Sequence, residues 1–510
     1  MALKRMVRVT DRIVFLCFTA LTGAHAQYVT VKPAGPQRVV ILLVDAKGDG
    51  GGATAAQVRE AVLQHPNSPD AYMKSVSHGK SGLQAEIAGP KRYTRPPSQP
   101  NGDCTVYPDD IMKVFDPEVD FTRFDEVVVM THGLQDRACR SGSSSIGKQT
   151  YATSRGPALL AVSFVHDSLH YDYDPQTDDR TVGMDRTRIT QPTLVHEFIH
   201  SLGVGFHADG YLCGSEILRA DTTGCRGYEY GSPFDIMGRP NQGSVLQALF
   251  QEQLGWLTGA SIREVSVTGD YDLYPLDGNG PGAQVLKIPL PHKLPMGIEG
   301  RDTAWDIDYL SLEYRSMTGF DFRDDFERWV LKKGGPDGYF PEDQQGVLIH
   351  AVACVDPGEC PGCGTPGECR TSLLDMTPNS VNPDNPIDEF VDGMLTLNRS
   401  FAVPGNAIRI RTTEVLPGRS VKVRVEFGDV AIRERKGKRP DGFAPVLLHR
   451  SGRTIARIPV PAGRPVLELA GLDGTRYRLR VEADGTADAS GLKRGMYFFR
   501  DSQVGKLILP

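Results

Sequence analysis

The segment HEFIHSLGVGFH places two histidines and a glutamate at the spacing that a metal site on a helix requires. Residues four apart differ by about 40° around an α-helix, so His196 and His200 project from one face, one turn apart. Two imidazoles at that separation can bind one zinc ion at about 2.0–2.1 Å. Glu197 lies one position further on and would reach the metal's water rather than the metal, which is the position of a general base.

The residues around this segment predict the helix that positions it. Pro192 suits a first helical turn, and Gly203 suits a left-handed stop that lets the chain turn back toward the metal. The other face of the helix carries apolar side chains that should pack against a sheet: Leu194, Val195, Phe198, Ile199 and Leu202. The alternative is a core helix with two ordinary buried histidines, but the glutamate, the glycine and a third nearby histidine favour a metal site.

Three motifs in the same order resemble the gametolysin-like secreted metallopeptidases, a family of the metzincin type. They are HEFIHSLGVGFHADGYLCG, YGSPFDIMG and QEQLGWL. Further on, YLSLEYR, GVLIH and LLDMTP resemble segments that follow the catalytic domain in bacterial members of this family. The resemblance therefore covers about residues 38–430. It implies a mixed twisted sheet with an active-site helix, a Zn²⁺ cofactor and hydrolysis of peptide bonds in extracellular proteins.

Carried onto this sequence, the resemblance also implies the residues of the site. The zinc ligands would be His196, His200 and His207, and Glu197 would be the catalytic base. Met237 would be the methionine of the turn beneath the metal, a role that overlaps with ordinary core packing.

One departure from the family pattern concerns the third ligand, because the third histidine comes one residue late. The extra residue falls after Gly203, where the helix has ended and a loop can absorb it. His207 is therefore preferred as the ligand. Asp209 is its rival, since zinc also accepts carboxylate oxygen.

The other departure concerns the groups around the substrate. Some metzincins have a tyrosine two residues after the methionine of the turn, where this chain has Arg239. Tyr228 or Tyr230 could help to stabilise the oxyanion, although each is also expected as a structural aromatic. The strand ALLAVSFV, residues 158–165, is predicted as the sheet edge along which an extended substrate pairs.

Residues 1–26 have the form of a secretory signal: basic residues, the short apolar run IVFLCFTALTG, then AHA. The run is too short to span a bilayer. We expect cleavage after Ala26 and a secreted protein, periplasmic if the host is a Gram-negative bacterium. Removing four basic residues and one acidic residue with this segment changes the net charge from −6 to −9. A mildly acidic chain gives no reason to expect nucleic acid or an anionic membrane as a partner. With the resemblance, we expect a protein or peptide substrate, no stable membrane insertion and a monomer.

Eight of the nine cysteines remain after this cleavage, and an even number in an exported protein suggests disulfides. Cys213 and Cys225 close a short loop after the histidine motif and are predicted to pair. Cys104 with Cys139 is a plausible second pair. The connectivity of the last four stays open, with a second zinc site as the alternative to two disulfides: Cys354, Cys360, Cys363 and Cys369.

The pattern of elements predicts an α+β fold, in which a mixed sheet is covered by helices. Buried strands are expected at residues 38–46, 124–133 and 157–167, and helices at 54–63, 108–116 and 244–257. Short alternating runs follow, which is typical of β-rich domains. The predicted division is a signal at 1–26, a metzincin-like domain at 27–258, a β-rich accessory domain at 259–430 and a small β-sandwich-like domain at 431–510.

The sequence therefore predicts a secreted zinc endopeptidase. The alternative is a zinc-retaining, catalytically inactive binding or adhesion protein, although a structural site does not need the base Glu197. A glycan-binding module is a third possibility and rests only on the β-rich tail. The segment DAKGDGGG, residues 45–52, lacks the spacing of an EF-hand and is expected to be a loop. His132, His166 and His170 have no partner spacing and are expected to be structural.

Overall fold

The computed structural model describes residues 35–93, 108–132, 142–167, 189–238, 244–278, 280–297, 304–316, 319–321, 345–354, 369–380 and 386–428, and strands within 446–509. Residues Met1–Val430 form one compact unit and Ala431–Pro510 a second. Several sequence predictions lie outside the described residues: the signal segment, Cys104, Cys139, His170, Arg239, Cys360 and Cys363.

A six-stranded sheet forms the first part of the larger unit. Four strands run parallel in the order β2-β1-β3-β6: β1 Gly35–Asp45, β2 Ser81–Arg92, β3 Glu126–His132 and β6 Gly156–His166. Two short antiparallel strands, β4 Ser143–Ser144 and β5 Gln149–Thr153, pair with β6. The prediction that residues 158–165 form a free edge is therefore wrong, because hydrogen bonds to β4 and β5 already occupy that side of β6.

Strand β1 shows why this sheet needs nearly continuous apolar runs. Val39 and Ile41 belong to one core cluster, whereas Val40 and Leu42 belong to another. Successive side chains of a strand point to opposite faces, so the two clusters lie on the two faces of the sheet. A sheet that is buried on both faces cannot show the alternating pattern of a half-exposed strand.

Five α-helices lie in the described part of the first unit. α1 starts after Thr54, whose side chain and that of Gln57 form a capping box. A π-helical turn, Glu60–Gln64, continues α1. The helices are α1 Ala55–Arg59, α2 Pro69–Val76, α3 Pro108–Phe115, α4 Pro192–Ser201 and α5 Ala248–Gln253. The sequence did not predict α2, and α5 is shorter than the expected 244–257. None of the described helices is long and apolar enough to cross a membrane.

An eight-stranded sheet joins strands from both sides of residue 258. Its order is β8-β7-β14-β13-β12-β11-β9, with β15 beside β13. The strands are β7 Ala208–Leu212, β8 Arg226–Tyr228, β9 Ile262–Glu264, β11 Val285–Gly297, β12 Ala304–Tyr314, β13 Gly346–Cys354, β14 Cys369–Leu374 and β15 Leu395–Thr396. β7 pairs in parallel with β14, so the boundary predicted at residue 258 falls inside one sheet.

A third sheet of four antiparallel strands completes the first unit, in the order β10-β18-β17-β16. Its strands are β10 Gly269–Leu273, β16 Ser400–Val403, β17 Ile408–Leu416 and β18 Ser420–Phe427. Val421, Val423 and Val425 alternate along β18 and are fully buried. This period of two is the pattern from which the β-rich region was predicted.

Two disulfides lie in the described part of the chain. Cys213 and Cys225 are joined, which confirms that prediction. Cys354 and Cys369 are joined directly across β13 and β14, where the two residues face each other in register. This second bond resolves one pair of the four clustered cysteines.

The second unit, Ala431–Pro510, consists of two antiparallel sheets in its described strands. One sheet has the order β19-β20-β23 and the other β22-β21-β24-β25. The strands are β19 Val446–Arg450, β20 Arg453–Pro459, β21 Val466–Gly471, β22 Arg476–Arg480, β23 Thr486–Asp488, β24 Gly495–Phe499 and β25 Lys506–Leu509. The described part of this unit therefore consists of strands, and the sandwich arrangement stays a prediction.

A buried ion pair on β12 holds the segment that leads into α5. Arg315 donates to Glu313 Oε1 from Nε at 3.0 Å and Nη2 at 2.6 Å, and from Nη1 to the carbonyl oxygen of Val245 at 2.7 Å. Glu313 Oε2 accepts the N–H of Ala248 at 2.8 Å. A carboxylate at a helix N-terminus satisfies a backbone donor that has no partner within the helix.

The fold predicts that residues 27–258 cannot stand alone. A fragment of these residues would lose β14, the neighbour of β7, and the Glu313–Arg315 pair. We expect it to be insoluble or to unfold without a cooperative transition, whereas residues 27–430 should melt cooperatively in circular dichroism. A soluble, cooperatively folding 27–258 fragment would contradict this assignment.

Candidate metal centre

Helix α4 carries two of the three histidines and is buried along its whole length. Pro192 occupies its first turn, and the helix ends at Ser201. Gly203 follows with φ of +105°, a conformation that side-chain-bearing residues rarely adopt. The sequence prediction for this helix is therefore confirmed at both ends, and the glycine turns the chain back as expected.

Three histidines come together where the chain turns back after α4. One ring nitrogen each from His196, His200 and His207 lies within 4.8 Å of the other two. The Nε2 atoms of His200 and His207 are 3.1 Å apart. The three ring centroids are separated by 4.9, 5.0 and 5.5 Å. This group can hold a metal ion.

Each imidazole is oriented by a hydrogen bond through its other nitrogen. His196 Nδ1 lies 2.8 Å from the carbonyl oxygen of Ile236, and His200 Nδ1 lies 2.7 Å from that of Val204. His207 Nδ1 lies 2.8 Å from a carboxylate oxygen of Glu229. Because all three partners are acceptors, Nδ1 is the protonated nitrogen of each neutral ring, and Nε2 is the nitrogen that then has the lone pair. Histidines that bind a metal through Nε2 typically have this tautomer and hold Nδ1–H against an acceptor in the same way.

Burial keeps the helical imidazoles neutral. It lowers the pKa of His196 well below its ordinary value, and the neighbouring His200 and His207 lower it further. Burial, followed by repulsion from His207, lowers the pKa of His200 to about 4. A neutral imidazole is the form that binds a metal, so these two nitrogens are available at neutral pH.

The residue inserted after Gly203 is absorbed in the loop that leads to His207. Phe206 turns away from the histidine group and packs edge-on against Trp305, with ring centroids 6.1 Å apart. Asp209 lies in β7, where its carboxylate approaches Arg370 at 3.8 Å. His207, and not Asp209, is the residue that joins the histidine group.

Glu197 is buried beside the two helical ligands. Burial raises its pKa to about 8, and the nearby carboxyl group of Glu126 raises it further. A Cβ atom placed on Gly142 would lie 2.5 Å from Glu197 Oε1, so the backbone of Gly142 lies directly against the carboxylate. A divalent cation held by the adjacent histidines would lower this pKa again, because opposite charge favours the ionised form.

The turn that contains Met237 holds His196 in place through its backbone. Asp235 accepts the N–H of Met237 at 2.6 Å and that of Gln247 at 2.6 Å, which fixes the turn against the start of α5. This fixes the position of the Ile236 carbonyl, the acceptor of His196. Met237 itself is fully buried in the same core cluster as the apolar face of α4.

The two candidate tyrosines have different surroundings. The Tyr230 ring stacks on His207, with centroids 3.7 Å apart, and lies 6.0 Å from the ring of His196. Burial raises the pKa of Tyr230, so its hydroxyl stays protonated and can donate a hydrogen bond. Tyr228 instead packs against Phe390 and beneath the guanidinium of Arg226. Of the two, Tyr230 is the tyrosine whose ring contacts the histidine group.

Glu126 anchors α4 to the sheet. This residue was not identified from the sequence. Its two carboxyl oxygens accept hydrogen bonds from Ser163 at 2.6 Å and from Ser201, the residue after His200, at 2.7 Å. Burial raises its pKa to about 8, although both hydroxyls act in the opposite direction. The only signal in the sequence was an acidic residue at the start of an otherwise apolar strand.

His132 has carboxylate partners that its spacing in the sequence did not indicate. Its Nδ1 lies 2.9 Å from Asp167 and its Nε2 lies 3.0 Å from Asp49, and Asp45 completes a second group of possible ligands. The carboxyl ends of parallel strands meet at one edge of a sheet, which brings these residues together. Asp45 already accepts the N–H groups of two glycines in its loop, so hydrogen bonds within the group account for this cluster.

No protein-family model matches the sequence, and it matches no curated protein. The metzincin resemblance therefore stays a prediction.

The positions of the third histidine and of Asp209 predict different metal retention. His207→Ala removes one of three converging nitrogens and should release most of the bound metal, whereas Asp209→Asn should retain it. Metal content after dialysis, measured by mass spectrometry, checks both variants. Loss of metal from the Asp209 variant alone would show that His207 is not the third ligand.

The buried Glu126 predicts a pH-dependent stability difference. The pKa of Glu126 in the folded chain, about 8, lies above the ordinary glutamate pKa of 4.5. Between these two values the folded chain binds one more proton than the unfolded chain, so stability falls as pH rises through this window. Glu126→Gln removes this ionisation and should flatten the slope by about 1.4 kcal/mol per pH unit. Urea unfolding of both proteins between pH 5 and 8 measures the difference, and identical slopes would contradict the assignment.

Proposed function

We propose that the chain is a secreted, zinc-dependent endopeptidase of the metzincin type. The observation that carries the proposal is the convergence of His196, His200 and His207, each with its Nδ1 held by an acceptor, beside the buried carboxyl group of Glu197. A site that only stored a metal would not need an acid–base group at that position. The two disulfides are compatible with an oxidising compartment.

The donor set supports zinc as the metal. Three neutral imidazoles suit zinc, and two nitrogens bound to one tetrahedral zinc at 2.0–2.1 Å lie about 3.3 Å apart. The Nε2 atoms of His200 and His207 are 3.1 Å apart, close to that value. When bound, zinc would polarise the scissile carbonyl group and lower the pKa of a water molecule.

Glu197 would transfer the proton in both halves of the reaction. Its carboxylate accepts a proton from the attacking water and then donates it to the leaving amine nitrogen. Burial, which raises the pKa of Glu197, makes its carboxylate a stronger base than an exposed glutamate. Gly142 limits the space around the carboxylate and so restricts it to a small range of positions.

Tyr230 is the group best placed to stabilise the negative charge that develops on the carbonyl oxygen. Its ring packs on His207 and lies near His196, and its hydroxyl is protonated. A preorganised donor at such a position typically contributes about 10²–10³-fold to the rate. It would take the role that the family gives to a tyrosine after the methionine turn.

An extended peptide would bind along β4 rather than β6. Among the described strands, β4 is the last in the order of the sheet, and its antiparallel partner β6 lies on one side of it. Gly142, directly before β4, lies against the Glu197 carboxylate. A substrate that adds a strand to β4 would therefore pass close to the base, with its backbone held by main-chain hydrogen bonds.

Glu197→Gln tests the proposal most directly. Gln is similar in size and polar, so the fold and the metal content should stay near those of the wild type. It cannot accept the proton, so peptidase activity on casein or gelatin should fall by about 10²–10⁴-fold. Activity and metal content are measured on the same preparations.

Asp209→Asn is the matched control, because it also neutralises a buried carboxylate near the site but should keep activity. A zinc-loaded wild-type protein that cleaves no peptide across a broad substrate library would falsify the enzyme assignment. That result would instead favour a zinc-retaining binding protein.

A further inference from the structure

Arg370 lies near the start of β14, beside the loop that carries the third histidine. β14 pairs in parallel with β7, and Thr371 is opposite Ala208 in this pairing. The residues directly before that pair are Arg370 and His207, so both lie at the same level of the sheet. Arg370 is therefore next to the loop, although it is not a member of the histidine group.

The guanidinium group of Arg370 lies over two aromatic rings. Its Cζ atom is 4.6 Å from the ring centroid of Phe206 and 5.6 Å from that of Trp305. The two rings meet edge-on, and only 13% of the Arg370 side chain is exposed. A cation within about 6 Å of a ring centroid is attracted by the ring, more strongly where water is excluded. These three side chains form one packed group, which we call the Arg370 stack.

The loop between α4 and His207 needs such a support. It contains two glycines, Gly203 and Gly205, which allow the backbone more conformations than other residues do. Fixing flexible backbone in one conformation costs entropy. Phe206 is the residue directly before the third histidine, so a contact that holds its ring also limits where the backbone of His207 can lie.

The position of His207 decides whether the three imidazoles converge before a metal binds. Its Nε2 already lies 3.1 Å from that of His200. A binding site whose groups are preorganised does not lose affinity to the cost of ordering them. A loop that held His207 loosely would therefore weaken binding, even with all three histidines present.

Arg370 also approaches a carboxylate, but at a longer distance. Its Nη2 atom is 3.8 Å from a carboxylate oxygen of Asp209, which is beyond hydrogen-bond distance. Asp209 follows His207 in β7, whereas Phe206 precedes it in the loop. The aromatic contacts, rather than this ion pair, therefore connect Arg370 to the loop.

We propose that Arg370 is a positioning residue of the candidate metal centre. Its guanidinium group holds Phe206 against Trp305 and so keeps His207 turned toward the two histidines of α4. The inference rests on the proposed function, because it assumes that the three histidines bind zinc. It gives β14 a part in building the site through a side chain that does not contact the metal.

The zinc affinity of the full chain measures this role without reference to peptidase activity. Metal-free protein competes with a chromophoric chelator for the ion. Arg370→Met removes the charge but keeps an unbranched side chain, and it should weaken zinc binding about tenfold, the effect of one desolvated cation–π contact. Arg370→Lys should recover part of this loss, because it keeps a cation but lacks the planar group that covers both rings.

Cobalt distinguishes a displaced ligand from a general loss of stability. Four-coordinate Co²⁺ absorbs visible light more strongly than Co²⁺ with five or six ligands, so the spectrum reports the geometry of the site. Cobalt-saturated Arg370→Met should absorb less than the cobalt-saturated wild type. A contact with a merely structural role would lower the melting temperature and leave this spectrum unchanged, which would contradict the proposal.

Two further variants complete the test. Arg263→Met is the matched control, because Arg263 lies over the ring of Tyr271 at the same 4.6 Å but in β9, at the other end of the eight-stranded sheet. It should bind zinc like the wild type, and an equal loss there would overturn the proposal. Phe206→Leu removes the same stack from its other side. It should weaken zinc binding by a similar factor, and it serves if Arg370→Met does not fold.

The outcomes separate this inference from the proposed function. If the wild type binds zinc and both Arg370→Met and Phe206→Leu bind it equally well, the positioning role is overturned and the proposed function is not. If the wild type binds no zinc, the proposed function fails and the role of Arg370 fails with it.

Discussion

The candidate metal centre depends on one constraint: each imidazole must hold its Nδ1 proton against a fixed acceptor. Those acceptors come from three different places, the Ile236 carbonyl in the methionine turn, the Val204 carbonyl in the loop after α4, and the Glu229 carboxylate. Helix geometry alone aligns two of the histidines, but it does not decide which nitrogen of a ring faces the metal. The surrounding backbone does, and it requires three separate segments to be in place at once.

Buried carboxylates fix those segments by accepting backbone N–H groups where no backbone partner is available. Asp235 holds the methionine turn to the start of α5, and Glu313 holds the same helix to β12. Glu126 does the same for the far end of α4 through two serine hydroxyls. Breaking a buried ion pair such as Glu313–Arg315 typically costs about 3–5 kcal/mol, so this pair helps to keep α5 and β12 together in the first unit.

Local patterns predicted the parts of this site that depend on local geometry. The spacing of His196 and His200, the glycine stop and the apolar strands all follow from period and backbone conformation, and each is confirmed. The pairing of β7 with β14 could not be predicted, because parallel strands this far apart leave no short-range signal. The Asp45–His132 contacts were missed for a similar reason, since only the sheet brings the ends of β1 and β3 together.

The pairing of Ala208 with Thr371 spans about 160 residues of chain, and this sets the order of assembly. During synthesis or export the two helical histidines emerge long before β14, and domains generally form from the N-terminal end. In a nascent chain the third histidine of the candidate metal centre is therefore not yet anchored. The group of three imidazoles that could hold a metal ion is complete only when the first unit is nearly folded.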